Sequence, residues 1–398
     1  VLSSDQVKDL YKKYSVPCYS RAEGIVLAKG KGSRIWTPEG KEYLDFTAGI
    51  GVTSLGHCHP AIIEAARDQI ERVVHTSNSF FSAEHAQLAE KLCQLSGLDR
   101  AFFSNSGAEA NEGAIKFARR WGNKVGGGRY EIITFRTAFH GRTIATISAT
   151  GTEKIQDGYA PLLEGFVKVP AFDLNAIEGA ITDKTVAIMF EPIMGRAGLV
   201  FPAPGFYQGL KAISTKHNLL IITDEMQTGI GRTGKFFNFE HEGFKPDILT
   251  LAKGVATGFP IGVTLCRADI GDVISDETHG TTFGGNPLSA RIGLVVSEIV
   301  SNPEFLKDVT RKGERFLGLL KTLVDKKPKV LTAARGRGLM IGLSLKVDSK
   351  EFRIRLANNG LVCITAGPDS IRIYPPLVAS DSDIDEALGI LGKVCDSY

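Results

Sequence analysis

Four short, unbroken apolar runs punctuate the middle of this chain: "EIITF" (131–135), "VAIMF" (186–190), "LLIIT" (219–223) and "DILTL" (247–251). Unbroken apolarity means that both faces of the segment are covered, as in a parallel strand sandwiched between helices. The stretches between them carry helical spacing. "PAIIEAARDQIERVV" (60–74) sets Ile62, Ala66, Ile70 and Val73 on one face, with Pro60 in the first turn, where its missing N–H is tolerated. "SGAEANEGAIKFARRW" (106–121) is a second helix, opened by Ser106 and Gly107. The pattern predicts an α/β domain over 46–295. From about 295 it changes to a long polar helix, "GLMIGLSL" (338–345), another helix near 350–359 and "SIRIYPPLV" (370–378). Residues 296–398 are therefore expected to form a smaller α+β domain, with residues 1–45 packing beside it.

Composition narrows the function classes. With 398 residues, 43% hydrophobic and 23% charged, the chain has ample material for a buried core. Net charge is only +3 and the basic residues are dispersed, so neither nucleic acid nor a membrane surface is an expected partner. The six cysteines lack C-x-x-C spacing, which argues against a zinc site and against a disulfide framework. No metal is expected. A reducing compartment fits: the cytosol, or the mitochondrial matrix if a leader has been removed.

Ligands of open parallel sheets bind beyond the carboxyl ends of the strands. There "VAIMF" exits at Glu191, "LLIIT" exits at Asp224, and "DILTL" is followed closely by Lys253. A carboxylate and an amine on one rim, near a helix N-terminus suited to an anion, fit pyridoxal phosphate chemistry. Two glycine patterns compete for attention in "DEMQTGIGRTGKF" (224–236). Gly229, Gly231 and Gly234 spell G-x-G-x-x-G, and Gly229 to Lys235 spell G-x-x-x-x-G-K. Both fail on context: "DEMQT" separates the glycines from the strand, and Phe236 replaces the hydroxyl residue that a P-loop needs for magnesium. A tight loop carrying Asp224 and Gln227 past the cofactor is the expectation.

Across nearly its whole length the chain resembles the class III, fold-type I pyridoxal-phosphate aminotransferases, most closely the acetylornithine and ornithine group. The resemblance is carried by "DFTAGIGVTSLGHCHP" (45–60), "SNSGAEANEGAIKFAR", "FHGRT" (139–143), "DEMQTGIGRTG", "PDILTLAKG" (246–254), "HGTTFGGNPLSA" (279–290) and "AGPDSIRIYPPLV" (366–378). It implies a large domain with a mostly parallel seven-stranded sheet. It also makes Lys253 the Schiff-base lysine and proton carrier, Asp224 the partner of the pyridine nitrogen, and Gln227 that of the ring's phenolic oxygen. Ser106, Gly107 and Ala108 would bind the phosphate, Phe139 would stack on the ring, and His140 and Glu191 would line the cofactor site. Thr282 would reach the phosphate of a neighbouring subunit, so a homodimer is implied, and Thr281 would touch substrate. Arg142 and Arg372 match the family's carboxylate-binding arginines, and Ile50 gives the pocket a small apolar wall.

One departure stands out. The group usually has "EPIxGEGG", whereas this chain has "EPIMGRAG" (191–198), so Arg196 stands where a glutamate neutralises the arginine matched by Arg372. If Arg196 faces the site it disfavours an ammonium-tailed donor. The reading is a ping-pong aminotransferase that moves an amino group from an acetylornithine-like or other terminal amine to a 2-oxo acid, 2-oxoglutarate or pyruvate. A different amine donor, a decarboxylase or racemase on the same fold, and a non-catalytic sensor are the alternatives. Retention of Lys253 argues against the sensor.

Overall fold

Each of the four apolar runs is a strand, and three further strands complete their sheet. In chain order these are β1 (Arg100–Ser104), β2 (Glu131–Phe135), β3 (Phe166–Val169), β4 (Thr185–Phe190), β5 (Leu220–Asp224), β6 (Ile248–Leu251) and β7 (Gly262–Cys266). Their spatial order is β1-β7-β6-β5-β4-β2-β3. The pairs β2/β3, β2/β4, β4/β5 and β5/β6 are parallel, and β7 runs antiparallel to both neighbours. Every residue of β4, β5 and β6 is buried, as unbroken apolarity requires. The register sets Asp224 opposite Thr250, so Lys253 emerges just past the strand end beside Asp224.

The computed structural model describes residues 2–21 and 24–398, which divide into two units. This sheet belongs to the larger, Glu64–Leu306. Across it lies helix α1 (Gly107–Lys124), which buries Ala114, Ala118 and Trp121 at helical spacing in one cluster with Val186, Leu220 and Ile248. In the helix Pro60–Arg72 the buried side chains are Ile62, Ala65 and Gln69. Ile70 and Val73, on the same apolar stripe as Ile62, are 56% and 40% exposed, so the stripe is wider than the surface it covers within one chain.

In the smaller unit, the described residues up to Ile63 fold with Lys307–Tyr398. Strands Lys29–Lys31, Arg34–Trp36 and Glu42–Asp45 form a sheet closed by Leu361–Val362, paired parallel to Leu44 and Asp45. A second sheet joins Leu331–Arg337, Met340–Leu345, Ser370–Ile373 and Ile364–Thr365. Leu44 and Phe46 share one apolar core with Phe316, Leu343 and Ile371, so the amino-terminal segment is built into this unit.

The divisions after Ile63 and Leu306 replace the expected ones at 45/46 and 295/296. Backbone hydrogen bonds explain the first shift: Tyr374 N–H donates to Phe46 O and Leu377 N–H to Ser54 O, which ties this stretch to the carboxyl-terminal strands. The second follows from helix Pro287–Val300, which packs on helix Ala83–Ser96 of the larger unit. Among the described residues no helix is long and apolar enough to cross a membrane.

Close packing of α1 yields a stability prediction. A Cβ on Gly122 would lie 2.0 Å from Arg129 O and 2.7 Å from Val186 Cγ2, whereas one on the helical Gly389 would meet nothing within 4 Å. Gly122→Ala should lower the melting temperature or prevent folding, while Gly389→Ala should stabilise by about 0.5–1 kcal/mol. Thermal unfolding of the two variants checks this.

Candidate active site

β5 ends on Asp224, whose side chain is almost wholly buried, so its carboxylate must find donors inside the protein. Asn111 Nδ2 donates to Oδ2 at 2.8 Å, and His140 Nδ1 lies 2.8 Å from the same oxygen. Because a carboxylate only accepts, His140 carries its proton on Nδ1. Met226 N–H donates to Oδ1 at 3.1 Å. Asn111 is itself fixed at both ends, donating to His140 O at 2.7 Å and accepting from Thr250 Oγ1 at 2.7 Å. Among the described residues, His140 Nε2 is buried without a hydrogen-bond partner.

A cavity of about 280 Å³ opens beside this network, lined by Gly107, Ala108, Phe139, Arg142, Asp224 and Lys253, with His140, Glu191 and Gln227 also in its wall. Lys253 has φ +46°, a left-handed conformation that costs a non-glycine residue energy and recurs at functional positions. Glu191 is 4% exposed and accepts the Phe139 N–H at 3.0 Å. Burial, and then the nearby Asp224 charge, push its carboxyl up to about 7.

The residues present fit pyridoxal phosphate. Ser106 caps α1, accepting the Glu109 N–H at 3.2 Å, so the first helical N–H groups belong to the cavity-lining Gly107 and Ala108. A Cβ on Gly107 would approach Met226 Sδ to 2.8 Å, so this edge of the cavity admits only glycine without displacement. Oδ1 of Asp224 has capacity for a further donor, which a pyridinium N–H would supply. Lys253 brings the amine, and Phe139 a flat apolar ring.

The structure thus brings together Lys253, Asp224, Gly107, Ala108, Phe139, His140, Glu191, Gln227 and Arg142. Arg196 joins their edge: its guanidinium lies 5.1 Å from the centre of the Phe139 ring, and that of Arg142 lies 5.9 Å from it. Its neighbour Gly195 backs onto Gln227, where an added Cβ would come within 2.6 Å of Oε1. Thr281 lines a separate cavity of about 690 Å³ and accepts a hydrogen bond from Asn105 Nδ2 at 3.1 Å, and Thr282 is exposed. Ile50 and Arg372 belong to the smaller unit. Ile50 is 48% exposed and sits at φ +65° in a tight turn. Arg372 is buried in strand Ser370–Ile373, donates to Thr365 O at 3.2 Å and lies 5.7 Å from the Tyr374 ring centre.

Asn111, Thr250 and Met226 are not among the site residues expected from sequence. Asn111 carries a readable signal, a polar side chain four residues before Ile115 on the apolar face of α1. The glycine patterns prove to be turns: Gly231 N–H donates to Phe236 O and Gly234 N–H to Gly231 O, and only a short 3₁₀ segment, Asn238–Glu242, follows.

Glu191 supports a pH prediction. A carboxyl raised from 4.5 to about 7 on folding binds its proton more tightly in the folded state, so its contribution is favourable below 4.5 and lost as pH rises through about 7. In cofactor-free protein, Glu191→Gln should therefore gain little at pH 4.5 and on the order of 3 kcal/mol above pH 7. Denaturant unfolding across that range checks it; a pH-independent gain would contradict it.

Residues 18–395 match the family described as Aminotransferase class-III. The chain is 45% identical over 385 residues to an acetylornithine aminotransferase of Caldanaerobacter subterraneus subsp. tengcongensis, covering 96% of this chain and 97% of that protein. It is 44% identical over 396 residues to an acetylornithine aminotransferase of Methanocaldococcus jannaschii, covering 99% and 98% respectively. Among solved structures, the ornithine aminotransferase of Toxoplasma gondii ME49 superposes with a TM-score of 0.96 at 31% identity, covering 100% of this chain and 96% of that one.

Proposed function

We propose a function on the following basis: this chain belongs to the class-III aminotransferases, which are pyridoxal-phosphate enzymes moving an amino group from an amine donor to a 2-oxo acid. The donor in this proposal is an N-acylated ornithine such as acetylornithine, reacting through its terminal amine. That choice rests on the pair of guanidinium groups, Arg196 and Arg142, over one cavity-lining ring. An acylated donor presents a carboxylate and a neutral amide at its unreactive end. Free ornithine presents a second ammonium there, which two nearby cations repel. The names of the relatives at 45% and 44% identity agree with this reading.

Pyridoxal phosphate, when bound, supplies an aldehyde that condenses with amines and a ring that withdraws electrons from the bond being broken. The α1 N-terminus at Ser106, Gly107 and Ala108 would hold the phosphate. Asp224 would hold the ring N–H, and Asn111 and His140 fix its carboxylate. Phe139 would stack on the ring, and Gln227 would donate to its phenolic oxygen. Lys253 would supply the amine that holds the aldehyde and the group that carries protons at the carbon bearing the amine. Arg142 and Arg196, at the edge over the Phe139 ring, would orient substrate carboxylates.

The working unit in this proposal is a homodimer in which Thr281 and Thr282 complete the neighbouring subunit's site. Exposure of Ile70, Val73, Val74, Phe80, Phe81 and Phe283 in a single chain supports it, since soluble proteins seldom leave that much large apolar surface uncovered.

A donor panel tests the reading. Acetylornithine should exceed ornithine in kcat/KM by about tenfold or more, the effect of about 1.4 kcal/mol of charge discrimination. Arg196→Glu should narrow or reverse the gap. Equal rates for both donors in the native enzyme would contradict the donor assignment.

A further inference from the structure

A buried carboxylate next to Asp224 has no part in the chemistry above. Glu225 is 1% exposed, yet its side chain makes well-formed contacts. Oε2 accepts the Asn238 N–H at 2.6 Å, Oε1 accepts the Phe239 N–H at 2.9 Å, and Thr228 Oγ1 lies 3.4 Å from Oε2. Its backbone is tied as well: the N–H donates to Thr250 O at 3.0 Å, and the carbonyl accepts from Gly229 N–H at 3.0 Å. The carboxylate therefore joins the beginning of the loop 226–237 to the residues that follow its end. That loop carries Met226, which contacts both Asp224 and the space beside Gly107, and Gln227, which backs onto Gly195.

We propose that Glu225 is a positioning residue: by clasping the two ends of the loop 226–237 it holds Met226 under the phosphate cradle and Gln227 beside the cofactor ring. The inference rests on the assignment of this cavity to pyridoxal phosphate. A carboxylate suits the task because it accepts from two N–H groups at once, and it does so from a rigid strand end. Burial pushes the Glu225 carboxyl up to about 7 against the opposing pull of those N–H donors, so the clasp is held at an energetic cost that a purely apolar loop closure would avoid.

Two variants test the clasp from opposite sides. Glu225→Gln keeps the shape but turns an NH₂ group toward one of the N–H donors. Asn238→Pro keeps the Glu225 side chain, deletes one donor and sets the ring Cδ against the carboxylate, at the first position of a short helical segment preceded by Phe237 in the extended conformation that a residue before proline adopts (φ −116°, ψ 148°). In the purified holoenzyme, both should weaken cofactor retention by about tenfold, the scale on which supporting residues act on the groups they hold. Both should also move the pH at which the bound cofactor's absorbance changes. If Glu225→Gln does not fold, Asn238→Pro decides alone. A lower melting temperature with unchanged retention and an unchanged absorbance titration would overturn the proposal. Asp224→Asn distinguishes the clasp from the cofactor assignment beneath it: if it alters the absorbance while the clasp variants do not, only the Glu225 role fails; if it too leaves the absorbance unchanged, the cofactor assignment fails.

Discussion

A single buried carboxylate organises this site. Asp224 cannot be left without donors at the end of an interior strand, and the groups that satisfy it come from three places: Asn111 on α1, His140 after β2, and the Met226 backbone in the next loop. Thr250 on β6 locks Asn111 in turn. The parallel order of β4, β5 and β6 brings these elements side by side, and Lys253 leaves β6 at the same rim. Fold and chemistry are connected through that one network, because a shift of any member would leave a buried polar group unpaired.

Charge around the cavity is arranged by depth. Asp224 and Glu191 are buried, and burial together with their mutual repulsion favours the proton on Glu191. Arg142 and Arg196 are exposed at the edge, over the Phe139 ring. A deep acceptor and a cationic edge suit a ligand with a protonated ring nitrogen inside and anionic groups outside. In the proposed reading, Arg196 in place of the group's usual glutamate acts on that edge, and so on donor choice.

Much of this is legible in the sequence. Unbroken apolar runs mark β2, β4, β5 and β6, and the polar residues at their ends mark Glu191, Asp224 and Lys253. β1 and β7 escape because "RAFFS" and "GVTLC" mix polar and apolar residues, and their place in the sheet depends on an antiparallel pairing between segments more than 150 residues apart. Periodicity finds the helix Pro60–Arg72 but not its cover, since spacing reveals an apolar stripe and not what lies against it. Glu225 is easily passed over because the residue before it carries the chemistry. Its role depends on Asn238 and Phe239, which only the folded loop brings near.

Reductive trapping of the yellow holoenzyme with borohydride, followed by digestion and mass mapping, probes the pairing of Asp224 and Lys253 around one cofactor most directly. A phosphopyridoxyl group is expected on the peptide containing Lys253 and on no other lysine. A label on another lysine, or none on Lys253, would contradict the assignment.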